Sequence, residues 1–235
     1  MRILLFSNST NAGEEYLSYT IPYIQEFTQG KKYEAVFIPY AGVTIGWDEY
    51  SEMVASKLEL IGIRVNPIHK SSDPVKAISN AEMIIIGGGN TFNLLKTLED
   101  NCLLKIIREK VISGVPYMGW SAGSNMSCPS IRTTNDMPIV EPKSFDALGL
   151  IPFQINPHYT DVVDKKHAGE TREARIKEFI EANKDIYVAG LREGTLFQIE
   201  GNKLELKGSK SCRIFRYGKE TIELKAGDDF SFLMQ

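Results

Sequence analysis

Residues 116–126 read PYMGWSAGSNM, a short apolar run that leads into a serine held between glycines. The apolar run predicts a buried strand, and the residues after Ser121 are able to begin a helix. Gly119 and Gly123 place Ser121 in the pattern G-x-S-x-G, which is typical of a sharp turn between a strand and a helix. Such a turn lifts the serine hydroxyl above the edge of a sheet. Ser121 is therefore a candidate nucleophile, while the alternative is an ordinary glycine-rich turn.

The chain before this turn alternates apolar runs with amphipathic stretches. The apolar runs predict strands over 2–7, 34–40, 63–68 and 83–89. The stretches between them predict helices over 14–28, 48–61, from Asp73-Pro74 onward, and over 91–99 and 101–112. Continuous apolar strands separated by helices are typical of a parallel sheet covered on both faces. The sequence therefore predicts an α/β fold with a mostly parallel, doubly wound sheet.

A second glycine-rich stretch, GGGN (87–90), ends the strand that begins at residue 83. Ligands bind beyond the C-terminal ends of the strands in such sheets. We therefore expect GGGN and the turn at Ser121 to face one crevice if their strands are neighbours. Glycines let backbone N–H groups approach a ligand closely, so this stretch is able to supply an oxyanion donor. The competing nucleotide-phosphate site lacks both G-x-G-x-x-G and G-K-[ST].

The chain after residue 125 has a different character. It is rich in Pro, Asn and Asp, which favours loops and short strands, and then a helix is predicted over 171–183. Short apolar runs from 186 to 227 predict strands and hairpins, and so a β-rich C-terminal part. Since no repeat, linker or low-complexity tract interrupts the chain, we expect a single domain over 1–235.

Composition narrows the class of protein. The 235 residues are 43% hydrophobic and 24% charged, with a net charge of -3, which is typical of a globular protein and favours neither nucleic acid nor an anionic membrane as partner. No apolar run approaches the roughly 20 residues of a membrane helix. The three cysteines are far apart and form no C-x-x-C pair, so we expect free thiols and a cytoplasmic protein. No Cys/His cluster is present, so we expect no metal and no cofactor.

A serine nucleophile needs a base, and the chain has three histidines. His69 and His167 lie in polar stretches that are typical of surface loops. His158, in FQINPHYT, follows an apolar stretch and a proline, which favours a held and partly buried imidazole. His158 is therefore the best candidate base, and a structural histidine satisfied by the backbone is the alternative.

The histidine in turn needs an acid that fixes its tautomer. Asp136 in TTNDMP and Glu193 in LREGT are the two candidates. Glu193 follows an apolar strand, and an acid at a strand end in the crevice suits the role. Asp136 is equally able to be a turn or cap residue, and Glu193 to be a hairpin residue, so both stay open.

Six stretches together resemble the peptidase E family, the α-aspartyl dipeptidases among the serine peptidases. They are LLFSNST (4–10), VFIPYAGVTIGWDEY (36–50), IIIGGGNTFNLLK (84–96), GWSAGSNMSCPSIRTTNDMPIV (119–140), FDALGLIPFQINPHYTD (145–161) and GETREARI (169–176). The resemblance implies a class I glutamine amidotransferase-like (flavodoxin-like) fold with a serine at the nucleophile turn. It also implies hydrolysis, without metal, of dipeptides that begin with L-aspartate.

The resemblance also implies roles for particular residues. The family's nucleophile falls on Ser121 and its histidine on His158, while its acid falls on either Asp136 or Glu193, of which we favour Glu193. The implied oxyanion donors are the backbone N–H groups of Ala122 and Gly89, with Gly88 close by. Arg172 is the implied cation for the substrate β-carboxylate, and a guanidinium suits a carboxylate.

Two other functions fit parts of the same sequence. One is a cyanophycinase-like hydrolase of Asp linkages, and the other is a non-catalytic protein of this fold that binds a small molecule. For the leading interpretation we expect a small peptide with N-terminal Asp as partner, and a monomer or homodimer. The charged loop 160–170 is a hypothetical lid.

Overall fold

Two β-sheets and seven α-helices are present in residues 1–162 and 169–235, which a computed structural model describes. The strands are β1 (Arg2–Phe6), β2 (Tyr33–Ile38), β3 (Ile63–Pro67), β4 (Met83–Ile86), β5 (Tyr117–Trp120), β6 (Gln154–Tyr159), β7 (Val188–Arg192), β8 (Thr195–Glu200), β9 (Lys203–Gly208), β10 (Cys212–Phe215) and β11 (Ile222–Leu224). The helices are α1 (Ile21–Thr28), α2 (Trp47–Leu58), α3 (Pro74–Asn80), α4 (Thr91–Asp100), α5 (Leu104–Ile112), α6 (Ala122–Met126) and α7 (Arg172–Ala182). His167 and most of the hypothetical lid lie outside the described residues.

The first sheet has the strand order β3-β2-β4-β5-β1-β8-β9. The five strands from β3 to β1 run parallel, and β8 and β9 extend the sheet as an antiparallel hairpin. The expected α/β fold with a mostly parallel central sheet is therefore confirmed. The added hairpin belongs to the C-terminal part that the sequence predicts to be rich in strands.

Apolar clusters cover both faces of this sheet. Alternate residues of each strand point to opposite faces, so they belong to different clusters. In β1, Ile3 and Leu5 belong to one apolar cluster, whereas Leu4 and Phe6 belong to the other. The first cluster is completed by helices α3, α4, α5 and α6, and the second by α1 and α2. This double burial explains why the strands read as continuous apolar runs.

The second sheet has the order β11-β10-β7-β6. Strands β6 and β7 pair in parallel, and their register shifts between Asn156 and Tyr159. Pro157 lies in this irregular stretch, where the lack of an N–H donor is tolerated. The region that the sequence predicts to be loops and short strands thus contains one bulged strand, which carries His158.

The turns after β4 and β5 lie side by side. Ile86, the last residue of β4, pairs with Gly119 in β5. The GGGN stretch and Ser121 therefore leave the sheet at the same edge, as expected for neighbouring parallel strands.

The prediction of one helix over 14–28 is wrong in its first half. Residues 14–17 are irregular, a 3₁₀ turn covers 18–20, and α1 begins only at Ile21. Leu17 has φ of 58°, a left-handed conformation that interrupts a helix. The stretch 91–112 forms two helices, α4 and α5, with Cys102 at φ of 55° between them.

Helix α6 lies so close to β4 that only glycine fits at residue 123. A Cβ added at Gly123 would lie 2.1 Å from the Ile86 carbonyl oxygen, which belongs to a buried strand. The Tyr117 hydroxyl also donates a hydrogen bond of 2.6 Å to the Gly123 carbonyl. The position of Ser121 above the sheet therefore depends on this contact.

We predict that Gly123→Ala lowers the free energy of unfolding by about 3 kcal/mol or more, because backbone must move to admit the methyl group. Gly46→Ala is the matched control, since nothing lies within 4 Å of the added Cβ at the start of α2. Urea unfolding of both variants measures the difference. Equal stability of the two variants would contradict the close contact.

Candidate active site

Ser121 has the strained backbone that the G-x-S-x-G pattern predicts. Its φ of 53° and ψ of -111° lie outside the regions that L-residues favour. Such a conformation costs on the order of 1–3 kcal/mol and persists only where its surroundings hold it. The Ser121 N–H donates to the Phe6 carbonyl at 3.1 Å, and its carbonyl accepts from the Asn125 N–H at 2.9 Å. The turn is thus attached to β1 on one side and to α6 on the other.

His158 lies between Ser121 and Glu193. Its Nε2 is 2.9 Å from Ser121 Oγ, and its Nδ1 is 2.7 Å from Glu193 Oε1. Because an ionised carboxylate only accepts hydrogen bonds, the proton of the neutral ring is assigned to Nδ1. Nε2 is then the acceptor for the Ser121 hydroxyl. The three side chains form a continuous chain of hydrogen bonds in the order acid, base and nucleophile.

The His158–Glu193 pair is open to solvent, since the two side chains are 40% and 49% exposed. Exposed pairs of opposite charge contribute little to folding stability. The contact therefore matters for the orientation of the imidazole rather than for the stability of the fold.

Ser7, which the sequence analysis missed, holds the backbone of His158. Its buried hydroxyl accepts from the His158 N–H at 2.9 Å and donates to the Leu191 carbonyl at 2.7 Å. His158 has φ of 53°, so its backbone also needs external support. The only feature of the sequence that could have identified Ser7 is its position, directly after a predicted buried strand and at the edge of the sheet where the site was expected.

Asn8 holds the turn that carries Glu193. Its Oδ1 accepts from the Gly194 N–H at 2.9 Å and from the Tyr19 hydroxyl at 2.7 Å. Asn8 is itself buried, with 1% exposure. The segment that follows β1 therefore supports both members of the His158–Glu193 pair.

Asp136, the other candidate acid, lies in the segment between α6 and β6, and its carboxylate faces the N-terminus of α4. Its Oδ2 accepts from the Thr91 N–H at 2.7 Å, from the Thr91 hydroxyl at 2.5 Å and from the Thr134 hydroxyl at 3.0 Å. Within residues 1–162 and 169–235, Asp136 makes no hydrogen bond with His158. It lines the same cavity as Ser121 and His158.

Arg172 begins α7 and also lines the cavity. Its guanidinium donates to Asn135 Oδ1 at 2.7 Å, and Asn135 Nδ2 donates to the Pro157 carbonyl at 2.7 Å. No described carboxylate forms an ion pair with Arg172. Burial lowers the pKa of Arg172, the charge of Arg175 lowers it further, and Asp136 opposes the shift. The sequence analysis did not single out Asn135.

The backbone N–H groups near Ser121 are free to bind a ligand. A Cβ at Gly88 would lie 3.1 Å from the Ser121 Cβ, so the GGGN stretch borders the serine directly. Gly89 has φ of 133° and passes so close to Ala41 that a Cβ would lie 2.2 Å from its carbonyl oxygen. Among the described residues, the N–H groups of Gly88 and Gly89 make no hydrogen bond. Ala122 is the first residue of α6, so its N–H has no acceptor within that helix.

These groups surround one cavity of about 830 Å³. It is lined by Ser9, Tyr16, Ala41, Gly42, Val43, Thr44, Ile45, Tyr50, Met53, Gly88, Gly89, Asn90, Thr91, Trp120, Ser121, Thr134, Asn135, Asp136, Ile139, Pro157, His158 and Arg172. His69 does not line it and instead pairs with Asp48 at 2.9 Å. Over the described ranges, no group of three or more His, Cys, Asp or Glu side chains is placed to hold a metal ion. No helix in that part of the chain is long and apolar enough to span a membrane.

The three cysteines are free thiols, as the sequence predicts. Cys128 and Cys212 are buried, and burial raises the pKa of the Cys128 thiol to about 12. Cys102 is exposed on the segment between α4 and α5.

Known proteins resemble this chain over its whole length. A protein named Peptidase E from Nostoc sp. is 48% identical over 234 residues, which cover 100% of this chain and 97% of the relative. A protein named Peptidase E from Shigella flexneri serotype 5b is 48% identical over 230 residues, which cover 98% of this chain and 100% of the relative.

Solved structures agree with these relatives. A crystal structure of a putative peptidase E protein from Listeria monocytogenes has a TM-score of 0.66 and 26% identity, and the match covers 89% of this chain and 98% of that one. A peptidase from an acI-B1 Actinobacterium has a TM-score of 0.71 at 18% identity, which shows the same fold. The family model described as peptidase family S51 matches residues 3–207. The chain therefore belongs to peptidase family S51.

Proposed function

We propose that this protein is a metal-independent serine dipeptidase that hydrolyses dipeptides with an N-terminal L-aspartate. The observation that carries the proposal is the hydrogen-bonded chain Glu193–His158–Ser121, which ends on a serine in a strained turn. Membership in a peptidase family supports the reaction class. Arg172, a cavity-lining cation without an ion pair among the described residues, supports the substrate class.

In the first half of the reaction, Ser121 Oγ attacks the carbonyl carbon of the aspartyl residue. His158 Nε2 takes the hydroxyl proton, and Glu193 stabilises the imidazolium through Nδ1. The imidazolium then gives the proton to the leaving amine, which departs as the second amino acid. An aspartyl ester remains on Ser121.

In the second half, water attacks this ester. His158 Nε2 takes a proton from the water and returns it to Ser121 Oγ as aspartate leaves. The solvent access of the His158–Glu193 pair supports this step, because water reaches the base without a rearrangement of the described residues.

The negative charge that develops on the carbonyl oxygen requires fixed donors. The N–H groups of Ala122 and Gly89, with Gly88 close by, are the proposed oxyanion hole. They are backbone donors without other partners in the described chain, so they need not break a bond to serve.

Arg172 is the proposed partner of the substrate β-carboxylate. Its guanidinium donates to a neutral amide, Asn135, and no described carboxylate forms an ion pair with it, so the charge is available to an anion that enters the cavity. Desolvation of a carboxylate without such a partner would be costly. A substrate with a neutral side chain at this position therefore binds poorly.

Asp136 is the proposed partner of the substrate α-ammonium group. Its Oδ2 is satisfied by three donors, while its Oδ1 has no hydrogen bond in the described chain and belongs to a cavity-lining side chain. A carboxylate there favours substrates with a free N-terminus. Asp136 and Arg172 then bind the two opposite charges of an N-terminal aspartate.

The broader expectations from the sequence remain proposals. One apolar cluster contains residues from Ile3 to Leu233, which supports a single domain over 1–235. The serine turn after a parallel strand supports a glutamine amidotransferase-like classification, although the order β3-β2-β4-β5-β1 differs from the flavodoxin order 2-1-3-4-5. Free thiols support a cytoplasmic protein. A monomer or homodimer is the proposed state.

The first prediction concerns the substrate. We expect release of leucine from Asp-Leu, but not from Glu-Leu, Asn-Leu or β-Asp-Leu, because only Asp-Leu places its β-carboxylate and its scissile bond together. The release should persist in EDTA and disappear in Ser121→Ala. If the folded protein cleaves none of the four dipeptides, the proposal fails. An Asp-Arg isopeptide then tests the cyanophycinase-like hydrolase. If that substrate is not cleaved either, the non-catalytic binding protein is the remaining alternative.

The second prediction separates the two acids. Glu193→Gln should lower kcat for Asp-Leu by roughly 10²–10⁴-fold, because the amide favours the wrong tautomer of His158. Asp136→Asn, which likewise replaces a carboxylate by its isosteric amide, should mainly raise KM, because it weakens binding of the substrate α-ammonium group. Steady-state kinetics of both variants decides the matter. Loss of turnover only in folded Asp136→Asn would make the assignment of Glu193 wrong.

The third prediction concerns selectivity. Arg172→Met should lower kcat/KM for Asp-Leu by about 10²-fold, because a charged hydrogen bond contributes up to about 3 kcal/mol. Arg175→Met is the matched control, since Arg175 lies on the same helix and pairs with Glu170 on the surface. The two variants are compared on Asp-Leu and on Asn-Leu. An equal loss in both variants would contradict the role of Arg172.

A further inference from the structure

A buried relay of hydrogen bonds joins the strand before Ser121 to the glycine loop beside it. Trp120 Nε1 donates to the Tyr50 hydroxyl at 3.0 Å, and this hydroxyl donates to the Gly88 carbonyl at 3.1 Å. Trp120 is the residue before the serine, and Gly88 precedes Gly89. Tyr50 comes from α2, far away in the sequence.

The direction of this relay is fixed by chemistry. An indole N–H only donates, and a carbonyl oxygen only accepts. The Tyr50 hydroxyl therefore accepts from Trp120, and its single proton points to Gly88. Burial raises the pKa of the Tyr50 phenol, so the group keeps this proton throughout the ordinary pH range.

The surroundings of Tyr50 fit this one position. Its ring packs edge-on against Phe37 at 5.2 Å between centroids, and the residue is 5% exposed. A Cβ at Gly87 would lie 2.5 Å from the Tyr50 hydroxyl oxygen, so only glycine leaves room for it. The hydroxyl has little freedom to move away from Gly88.

Among the described residues, the Gly88–Gly89 peptide makes no other hydrogen bond. The N–H groups on either side are bound, from Gly87 to Ile38 at 3.1 Å and from Asn90 to Ala41 at 2.8 Å. Within the described chain, the peptide between them is held only through the Gly88 carbonyl. Two adjacent glycines allow such a peptide to rotate at small cost.

The carbonyl and the next N–H belong to one planar trans peptide, so they point in opposite directions. A bond that fixes the Gly88 carbonyl therefore also fixes the direction of the Gly89 N–H. That N–H is the proposed oxyanion donor opposite Ala122.

We propose that Tyr50 is a positioning residue that orients the oxyanion hole through the Gly88 carbonyl. This inference rests on the proposed function, because it concerns the same hydrolysis. It assigns to α2 a part in transition-state stabilisation, although α2 supplies no group that touches the reacting atoms.

A role confined to folding makes a different prediction. Loss of a buried hydrogen bond would then lower the unfolding temperature and leave kcat unchanged in the folded protein. A positioning role instead lowers kcat while KM stays the same, because the oxyanion forms only in the transition state.

Tyr50→Phe is the direct test, since it removes only the hydroxyl. We expect kcat for Asp-Leu to fall between about 10-fold and the roughly 10²–10³-fold that follows removal of one oxyanion donor. KM should change by less than about twofold, and the pH profile should keep its shape, because the triad is intact. An aspartyl aldehyde, which forms a tetrahedral adduct with Ser121, should lose affinity by the same factor as kcat, while the product L-aspartate should bind as before.

Tyr40→Phe is the matched control. Tyr40 is also buried, with 3% exposure, and its hydroxyl makes no hydrogen bond in the described chain. Its kcat should equal that of the wild type. Should Tyr50→Phe fail to fold, Trp120→Phe replaces it, because that change removes the donor that orients the hydroxyl, and a smaller fall in kcat is expected.

The outcomes are distinct. An active wild type with a folded Tyr50→Phe of unchanged kcat, or with aldehyde affinity unchanged, overturns this inference alone. The same holds for an unchanged kcat in Trp120→Phe where that variant is used. A wild type that cleaves none of the substrates overturns the proposed function and this inference with it.

Discussion

The proposed active site depends on one buried hydroxyl, that of Ser7, at the join between the two sheets. The Ser7 N–H bonds to Thr195 in the first sheet, while its side chain bonds to His158 and Leu191 in the second. Ser121 follows a strand of the first sheet, and His158 lies on a strand of the second. The Ser121–His158 distance is therefore set by how the sheets meet, and Ser7 is one of the residues that join them.

In the proposed mechanism, the two sheets supply different reacting groups. The parallel sheet supplies the strained serine and the glycine loop, both of which require close contact between backbone segments. The second sheet supplies the imidazole and, at the turn after β7, the carboxylate. In the proposed function, Asp136, whose loop faces the N-terminus of α4, and Arg172, the first residue of α7, supply charges for the substrate. This division separates groups that react from groups that select.

The parallel core and the serine turn were predictable, because strands buried on both faces read as apolar runs and the turn needs glycines at fixed positions. The cap of α3 by Asp73 was equally local, and its Oδ1 accepts from the Lys76 N–H at 2.9 Å. The contact of Glu193 with His158 could only be favoured, since a turn carboxylate looks the same with or without a partner. Asn135 and Tyr50 contact residues distant in sequence and no local pattern marks them, whereas Ser7 is marked only by its position after a buried strand. The first half of the helix predicted over 14–28 was wrong, because Leu17 has a left-handed backbone conformation that the apolar pattern does not reveal.

The division of the proposed triad between two sheets has a consequence for partial unfolding. Cooperative units in proteins open separately, at free energies below that of global unfolding. Local opening that moves His158 away from Ser7 and Ser121 would part the proposed nucleophile from its base while most of the backbone ladders of both sheets stayed intact. The enzyme would then lose its activity at a denaturant concentration at which circular dichroism still shows a folded chain. Enzymatic activity therefore reports on the contact between the two sheets more sensitively than a signal averaged over all secondary structure.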